Sequence, residues 1–308
     1  MRMIFMGTPE FAVPCLQSLL DAGHEICAVY TQPDKPKGRG YALTPPPVKV
    51  LAEQNGLRVL QPKTLRTPEA AQEIRDLCPA CIVVVAYGKI LPKEILEIPR
   101  YGCINVHASL LPKYRGAAPI QWAVINGEPV SGVTTMYMAE GLDTGDMLLK
   151  AETEIGPEET AGELHDRLSQ MGAKLIVETM DAVQNGTVQR TPQGDADTSY
   201  ASMLTKELGN VDWSKPAEDI HNLVRGLSPW PVAFTQFHGK RLKIHRSRVA
   251  PGFGGAAGSV QACKDCFIVA CGGQSALELQ EVQYEGGKRM KGKDFLCGHR
   301  LDQGGTLG

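Results

Sequence analysis

The chain has 308 residues, a formal net charge of −2 and 43 % apolar residues, an ordinary make-up for a soluble globular protein with room for two cored domains. Nine cysteines, an odd number without regular spacing, fit a reducing cytoplasm better than a disulfide framework, and no apolar run is long enough to span a membrane. Charge is uneven: residues 206–308 hold 14 Lys and Arg against 10 Asp and Glu, while the first 205 hold 18 against 24, so the C-terminal third is mildly basic, which permits contact with a polyanion without demanding it.

Residues 2–6 read as a short buried strand, and Gly7-Thr8-Pro9-Glu10 opens a helix with Thr8 as N-cap and Pro9 in the first turn. The break at Gly7–Glu10 and the charge at Asp21 argue against a signal peptide. Strand-like and helix-like stretches then alternate: 25–31, 48–54, 58–60, 68–77, 81–86, 103–107 and 118–125. This succession predicts an α/β fold with a mostly parallel, doubly wound sheet. Two further strands, 132–138 and 146–154, flank a glycine-bounded loop, and an amphipathic helix over 160–184 closes the domain near residue 189. The polar stretch 190–205 reads as a linker. Residues 206–308 then give a short helix at 216–225 and several short strands with glycine-rich turns, the pattern of a small β-barrel. Trp213, Trp230 and Phe234 read as core anchors there.

Asn105 and His107 stand two apart in the strand 103–107, so they share a face at its carboxyl end, where open α/β sheets place their ligands. An amide donor beside an imidazole suits the negative charge that develops on the oxygen of an acyl-type carbonyl. Asp143, between glycines at 141 and 145, is the carboxylate expected to orient His107 and to help a proton move. No Gly-x4-Gly-Lys-Ser/Thr, Gly-x-Gly-x-x-Gly or Gly-x-Ser-x-Gly pattern carries these residues, and a single Asp-Thr-Gly cannot make an aspartic protease. Tyr87, Gly88 and Ile90, at the exit of the preceding strand, are expected to wall a slot for a flat heteroaromatic ligand together with the Leu110-Leu111-Pro112 loop. Lys35, Lys37 and Arg39 form a basic loop able to hold phosphates. Lys240, Arg241 and Lys243 open a basic-apolar alternation that puts one basic strand face on the C-terminal domain, and Lys288 to Lys293 add a second cluster. The pairs Cys78/Cys81 and Cys263/Cys266 read as core and turn cysteines, and no metal is expected.

Taken together these segments resemble the methionyl-tRNA formyltransferase family. The resemblance rests on Phe5-Met6-Gly7-Thr8-Pro9-Glu10-Phe11, the loop 32–40, Asn105-Val106-His107 with Ser109-Leu110-Leu111-Pro112, Tyr114 to Trp122, Gly141 to Asp146, and Leu227-Ser228-Pro229-Trp230-Pro231. It implies a Rossmann-like formyltransferase domain followed by an OB-type barrel, with 10-formyltetrahydrofolate as donor and initiator methionyl-tRNA as acceptor, in a cytoplasmic monomer. It also implies that Asn105, His107 and Asp143 are catalytic, that Ser109 to Pro112 form the tetrahydrofolate loop, and that Arg39 reaches the tRNA acceptor stem. Formyltransferases acting on smaller amines, hydrolases releasing formate from the same folate, and a non-enzymatic RNA-binding protein remain the alternatives.

Overall fold

Uninterrupted apolar runs become strands covered on both faces: Met3 to Met6 and Cys81 to Val83 are buried throughout. The computed structural model describes residues 1–37, 42–194, 198–263, 266–299 and 305–308. In chain order it gives β1 (Arg2–Gly7), α1 (Val13–Asp21), β2 (Glu25–Tyr30), β3 (Lys35–Lys37), β4 (Ala42–Thr44), α2 (Pro47–Gln54), β5 (Val59–Leu60), α3 (Pro68–Asp76) and β6 (Cys81–Val85). Next come α4 (Lys93–Leu96), β7 (Cys103–His107), β8 (Arg115–Gly116), α5 (Pro119–Ile125), β9 (Val130–Tyr137), β10 (Met147–Glu154), α6 (Ala161–Gln184) and β11 (Tyr200–Ala201). The remainder is α7 (Ala217–Gly226), β12 (Ala233–Phe237), β13 (Lys240–Ala250), β14 (Val260–Cys263), β15 (Cys266–Ala270), β16 (Ala276–Tyr284), β17 (Arg289–Lys291) and α8 (Gly292–Gly298).

Two compact units emerge, one of Met1–Gly116, Ser131–Thr153 and His165–Tyr200, the other of Ala117–Val130, Glu154–Leu164 and Ala201–Gly308. The first is built on a seven-stranded sheet of order β10-β9-β7-β6-β1-β2-β5. The pairs β5–β2, β2–β1, β1–β6 and β6–β7 are parallel, as the alternation of strands and helices requires, and β9 runs antiparallel to β7. The chain winds outward from β1 in one direction and returns through β6 and β7 in the other, so strand order reverses beside β1, the position where such sheets open a crevice.

Thr8 does not cap a helix. A 3-10 turn, Glu10–Ala12, precedes α1, and the Thr8 hydroxyl is used elsewhere. It donates to the Tyr87 carbonyl (3.0 Å) and accepts from the Gln32 amide (3.2 Å), stitching together the exits of β1, β2 and β6. A side-chain cap does form before α6: Thr160 Oγ1 accepts from Glu163 N (3.2 Å) while Glu163 Oε2 accepts from Thr160 N (2.8 Å), a reciprocal capping box. These bonds hold the Glu163 carboxyl below its usual range.

In the second unit the six strands make one antiparallel sheet, β12-β13-β16-β15-β14 with β17 beside β16. Leu242, Ile244, Phe267, Leu277, Leu279, Val282 and Phe295 fill its core. Trp213 is buried and donates its indole N–H to Thr235 (3.0 Å), and Phe234 is buried too. Trp230 departs from expectation and stands 55 % exposed. It lies between Pro229 and Pro231 in the turn joining α7 to β12, where the missing backbone donors keep the chain out of a ladder.

Candidate active site

β7 delivers Asn105 and His107 to one face, with Asn105 opposite Met136 and His107 opposite Thr134 on β9. His107 is buried, and its Nε2 lies 2.9 Å from the carbonyl of Tyr114. A carbonyl only accepts, so Nε2 carries the proton. That leaves Nδ1 facing Asp143 Oδ2 at 3.7 Å, beyond hydrogen-bond length. The Tyr114 carbonyl therefore sets the ring's orientation, and Asp143 provides a nearby negative charge.

Asp143 reaches this place by an indirect route. Because β9 is antiparallel to β7 and Tyr137 pairs with Ile104, the loop after β9 starts beside the beginning of β7 and must fold back along that strand. Two glycines permit this. A Cβ on Gly145 would collide with the Tyr137 carbonyl oxygen and one on Gly141 with Thr144 Oγ1. Asp143 itself takes a left-handed φ of 50°. Its carboxylate accepts from Gly116 N (2.9 Å) and, more loosely, from Asn105 Nδ2 (3.4 Å).

The loop after β7 is fixed from beneath. The fully buried Thr134 hydroxyl donates to Ser109 O (2.7 Å) and accepts from Leu111 N (3.2 Å), and Lys150 Nζ donates to Leu111 O. Burial pushes the Lys150 ammonium below its usual range. Ser109 and Leu111 consequently point inward. Ser109 Oγ donates to Lys113 O (2.7 Å), and Leu111 packs with Met136 and Met147. Leu110 and Pro112 keep partial exposure.

Tyr87 likewise buries its ring in the core with Tyr30 and Leu91, so only its backbone lies at the strand exit. Its carbonyl accepts from Gln32 Nε2 (3.1 Å), as does the Gly88 carbonyl (3.1 Å). Gly88 and Ile90 are exposed, Ile90 at 66 %, and Leu142 beside Asp143 is 60 % exposed. Among the described residues no three His, Cys, Asp or Glu side chains gather where a metal could sit.

Of the basic residues, Lys35 is exposed on β3, Lys37 ends that strand, and Arg39 lies outside the described residues. The root of the β3–β4 hairpin is held by Asp34, which accepts from Lys49 Nζ (2.8 Å) and Gln61 Nε2 (2.9 Å). Those bonds hold its carboxyl below the ordinary range. Lys240 and Arg241 are exposed and Lys243 half-buried, with Leu242 and Ile244 turned inward as the alternation requires. The register shifts past Ile244, and Ser247 turns inward to His221 (3.1 Å). Arg241 lies 3.9 Å over the Phe234 ring and, with Lys243, Gln236 and Gln283, lines a cavity of about 460 Å³.

Reading 190–205 as a linker misses Gln193. Its Nε2 donates to the carbonyls of Asp143 (2.9 Å) and Gly145 (2.7 Å), and its Oε1 accepts from Arg115 Nε (2.9 Å). No periodicity marks such a residue within a polar run.

Residues 1–180 match the family described as Formyl transferase, and residues 203–300 match Formyl transferase, C-terminal domain. A methionyl-tRNA formyltransferase of Geotalea uraniireducens is 55 % identical over 308 residues, covering 100 % of this chain and 98 % of the relative. One of Acetivibrio thermocellus is 51 % identical over 311 residues, covering 100 % of both. In fold the chain resembles an N-formyltransferase of Helicobacter canadensis solved with folinic acid and dTDP-3-aminofucose, with a TM-score of 0.68, 20 % identity, and 90 % and 98 % of the two chains covered. The N-terminal sheet is thus the Rossmann-like α/β domain of this group, followed by its C-terminal domain. The chain belongs to the formyl transferase family, and within it to the methionyl-tRNA formyltransferases.

Proposed function

We propose that this chain transfers the formyl group of 10-formyltetrahydrofolate to the α-amino group of methionyl initiator tRNA. The observation that carries the reading is the convergence of Asn105, His107 and Asp143, with Asp143 Oδ1 3.4 Å from Asn105 Nδ2 and Oδ2 3.7 Å from His107 Nδ1. An α-amino group titrates near pH ~8, and the neighbouring ester lowers it further, so the attacking amine is substantially neutral and needs no strong base.

The residues' task is to align amine and formyl carbon and to hold developing charge. Asn105 Nδ2 donates to the formyl oxygen as the new C–N bond forms and that oxygen gains negative charge. His107 Nδ1, bare in the neutral tautomer, takes the proton the amine gives up. The imidazolium so formed faces the Asp143 carboxylate, adds a second donor near the oxygen, and returns the proton to the departing folate nitrogen when the old C–N bond breaks. The exposed Ile90 and Leu142, with Leu110 and Pro112, offer an apolar rim fitting a flat pteridine. Ser109 and Leu111 serve the folate loop from within, and Tyr87 and Gly88 through their backbone.

The C-terminal sheet is assigned as an OB-type barrel whose Lys240, Arg241 and Lys243 hold tRNA phosphates, with Lys35, Lys37 and Arg39 gripping the acceptor end. The cavity that Arg241 and Lys243 line, with Glu285 as its one carboxylate, supports this part. The test is a formyl-transfer assay with 10-formyltetrahydrofolate and charged initiator methionyl-tRNA, charged elongator methionyl-tRNA, or no acceptor. Transfer selective for the initiator is expected. Formate release without an acceptor would identify a hydrolase, and an unconsumed folate would overturn the catalytic reading altogether.

A further inference from the structure

We infer that Gln193 is a positioning residue for Asp143, holding the folded-back loop so that the carboxylate stays against His107 and Asn105. This rests on the formyl transfer proposed above. The loop has a geometric problem, since it leaves β9 at the wrong end of β7 and carries a left-handed aspartate. Of its carboxylate contacts only the bond from Gly116 N is short (2.9 Å); the bond to Asn105 is long (3.4 Å) and His107 Nδ1 lies at 3.7 Å. Two further short contacts are on the other side of the loop. Gln193 Nε2 holds the carbonyls of residues 143 and 145 at 2.9 and 2.7 Å.

The direction of that amide is determined by its neighbours. Arg115 has only donors, so the atom 2.9 Å from its Nε is the amide oxygen, and the NH2 end must face the two carbonyls. Arg115 is buried, and Gly116, the next residue, donates its N–H to Asp143 Oδ2 at 2.9 Å. The contacts close a ring from the Arg115 side chain through Gln193 to the Asp143 carbonyl, then through the Asp143 carboxylate back to Gly116.

The segment bearing Gln193 is anchored independently. Thr191 exchanges two backbone bonds of 2.9 Å with Met147, and the Arg190 guanidinium lies 4.1 Å over the Tyr137 ring. Tyr114 N donates to Ser199 Oγ and Arg115 N to Ser199 O, both at 2.9 Å. A residue outside the reacting set thereby controls where the carboxylate sits, and the polar stretch after α6 acts as a strap on the catalytic loop.

The experiment compares wild type, Gln193→Leu, Gln193→Glu, Asp143→Asn and the double variant Gln193→Leu/Asp143→Asn in the full chain. It reads kcat and KM for formyl transfer to charged initiator methionyl-tRNA, and thermal unfolding. A displacement of about 1 Å at a reacting group costs on the order of 100-fold, so Gln193→Leu should lower kcat about that much, with both KM values within roughly threefold. Gln193→Glu keeps the shape and the Arg115 contact but turns an acceptor on the two carbonyls. It should lose as much, and it carries the test if the leucine variant fails to fold. In the Asp143→Asn background, removing Gln193 should cost less than about threefold, because the group it positions is already lost. A near-normal Gln193→Glu, a loss that adds in full to that of Asp143→Asn, or an effect confined to unfolding temperature would each overturn the inference. A wild-type chain without transfer would instead remove the underlying functional reading.

Discussion

Replacing Asp143 by asparagine changes one atom and one charge, and both changes fall on contacts that the geometry resolves. The carboxylate accepts from two donors, Gly116 N at 2.9 Å and Asn105 Nδ2 at 3.4 Å. An amide can keep its oxygen on only one of them, so its NH2 confronts the other, donor against donor. If the backbone bond to Gly116 wins, Asn105 is pushed aside from the formyl oxygen. The larger loss is charge: the carboxylate 3.7 Å from Nδ1 faces the positive charge that the ring gains in the proposed transfer, and a neutral amide does not. Removing one preorganised electrostatic contact of this kind typically costs about 2.7–4 kcal/mol, a fall on the order of 100- to 1,000-fold in the chemical step. Stability should hardly move, since only the weaker contact is surrendered; a change of about 1 kcal/mol shifts Tm by only about 1–2 °C in a chain of this size. Single-turnover formyl transfer with saturating folate and tRNA reads the step directly. A loss below about fivefold, or one seen only in KM, would refute the assignment of Asp143 as the counter-charge of His107.

Gly145→Ala places a methyl on the Tyr137 carbonyl oxygen, so the loop must move; kcat should fall at least about tenfold through misplacement of Asp143, and unchanged turnover would show that the fold-back is tolerant. Asp34, held below its ordinary titration by Lys49 and Gln61, stabilises the fold above the unfolded carboxylate's pKa near ~4 and loses that contribution as pH falls through its lower folded value. Unfolding temperatures of wild type and Asp34→Asn should therefore differ most at pH ~5 and above and converge in stronger acid, whereas a constant gap across the range would contradict the linkage. Lys240→Ala/Arg241→Ala removes two exposed cations; it should raise KM for tRNA, leave KM for the folate alone, and flatten the salt dependence of tRNA binding by about 1–2 in log–log slope. An equal effect on both substrates would indicate general damage to the sheet.

Legibility in the sequence tracks the range over which each signal acts. Asn105 and His107 were readable because a strand has period two and because their strand ends in a loop, and the structure places both on one face of β7. Asp143 was readable only as a carboxylate between glycines. That it approaches from the far end of β7 depends on the direction of β9, which no local pattern encodes. Tyr87, Ser109 and Leu111 show a related shortfall: being in the right segment does not fix which way a side chain turns. Tyr87 turns into the core beside Tyr30, Ser109 bonds back to Lys113, and Leu111 packs on Met136 and Met147. Trp230 failed for the opposite reason, because its apolar character suggested burial while the prolines on both sides dictated the backbone.

The site divides into a rigid part and a tethered part, and the chemistry gives a reason for the division. Donors to a developing oxyanion must not reorganise when charge appears, which favours side chains on a central strand. Asn105 and His107 have this support, with Thr134 pinning the adjoining loop from below and Tyr114 fixing the imidazole. On the proposed mechanism the carboxylate has a different duty: it must lie near the imidazole without occupying Nδ1, which has to take up and release a proton within one turnover. A separation of 3.7 Å satisfies this, whereas a carboxylate in full hydrogen-bond contact would hold the proton and compete with the departing nitrogen for it. Such a distance cannot be kept by the weak contact itself. It is kept by the Gly116 N–H on the carboxylate and, on the inference above, from behind, through the carbonyls of Asp143 and Gly145 and the amide of Gln193. On this argument, shortening the tether would impair turnover as surely as cutting it, because either change alters the gap across which the proton moves.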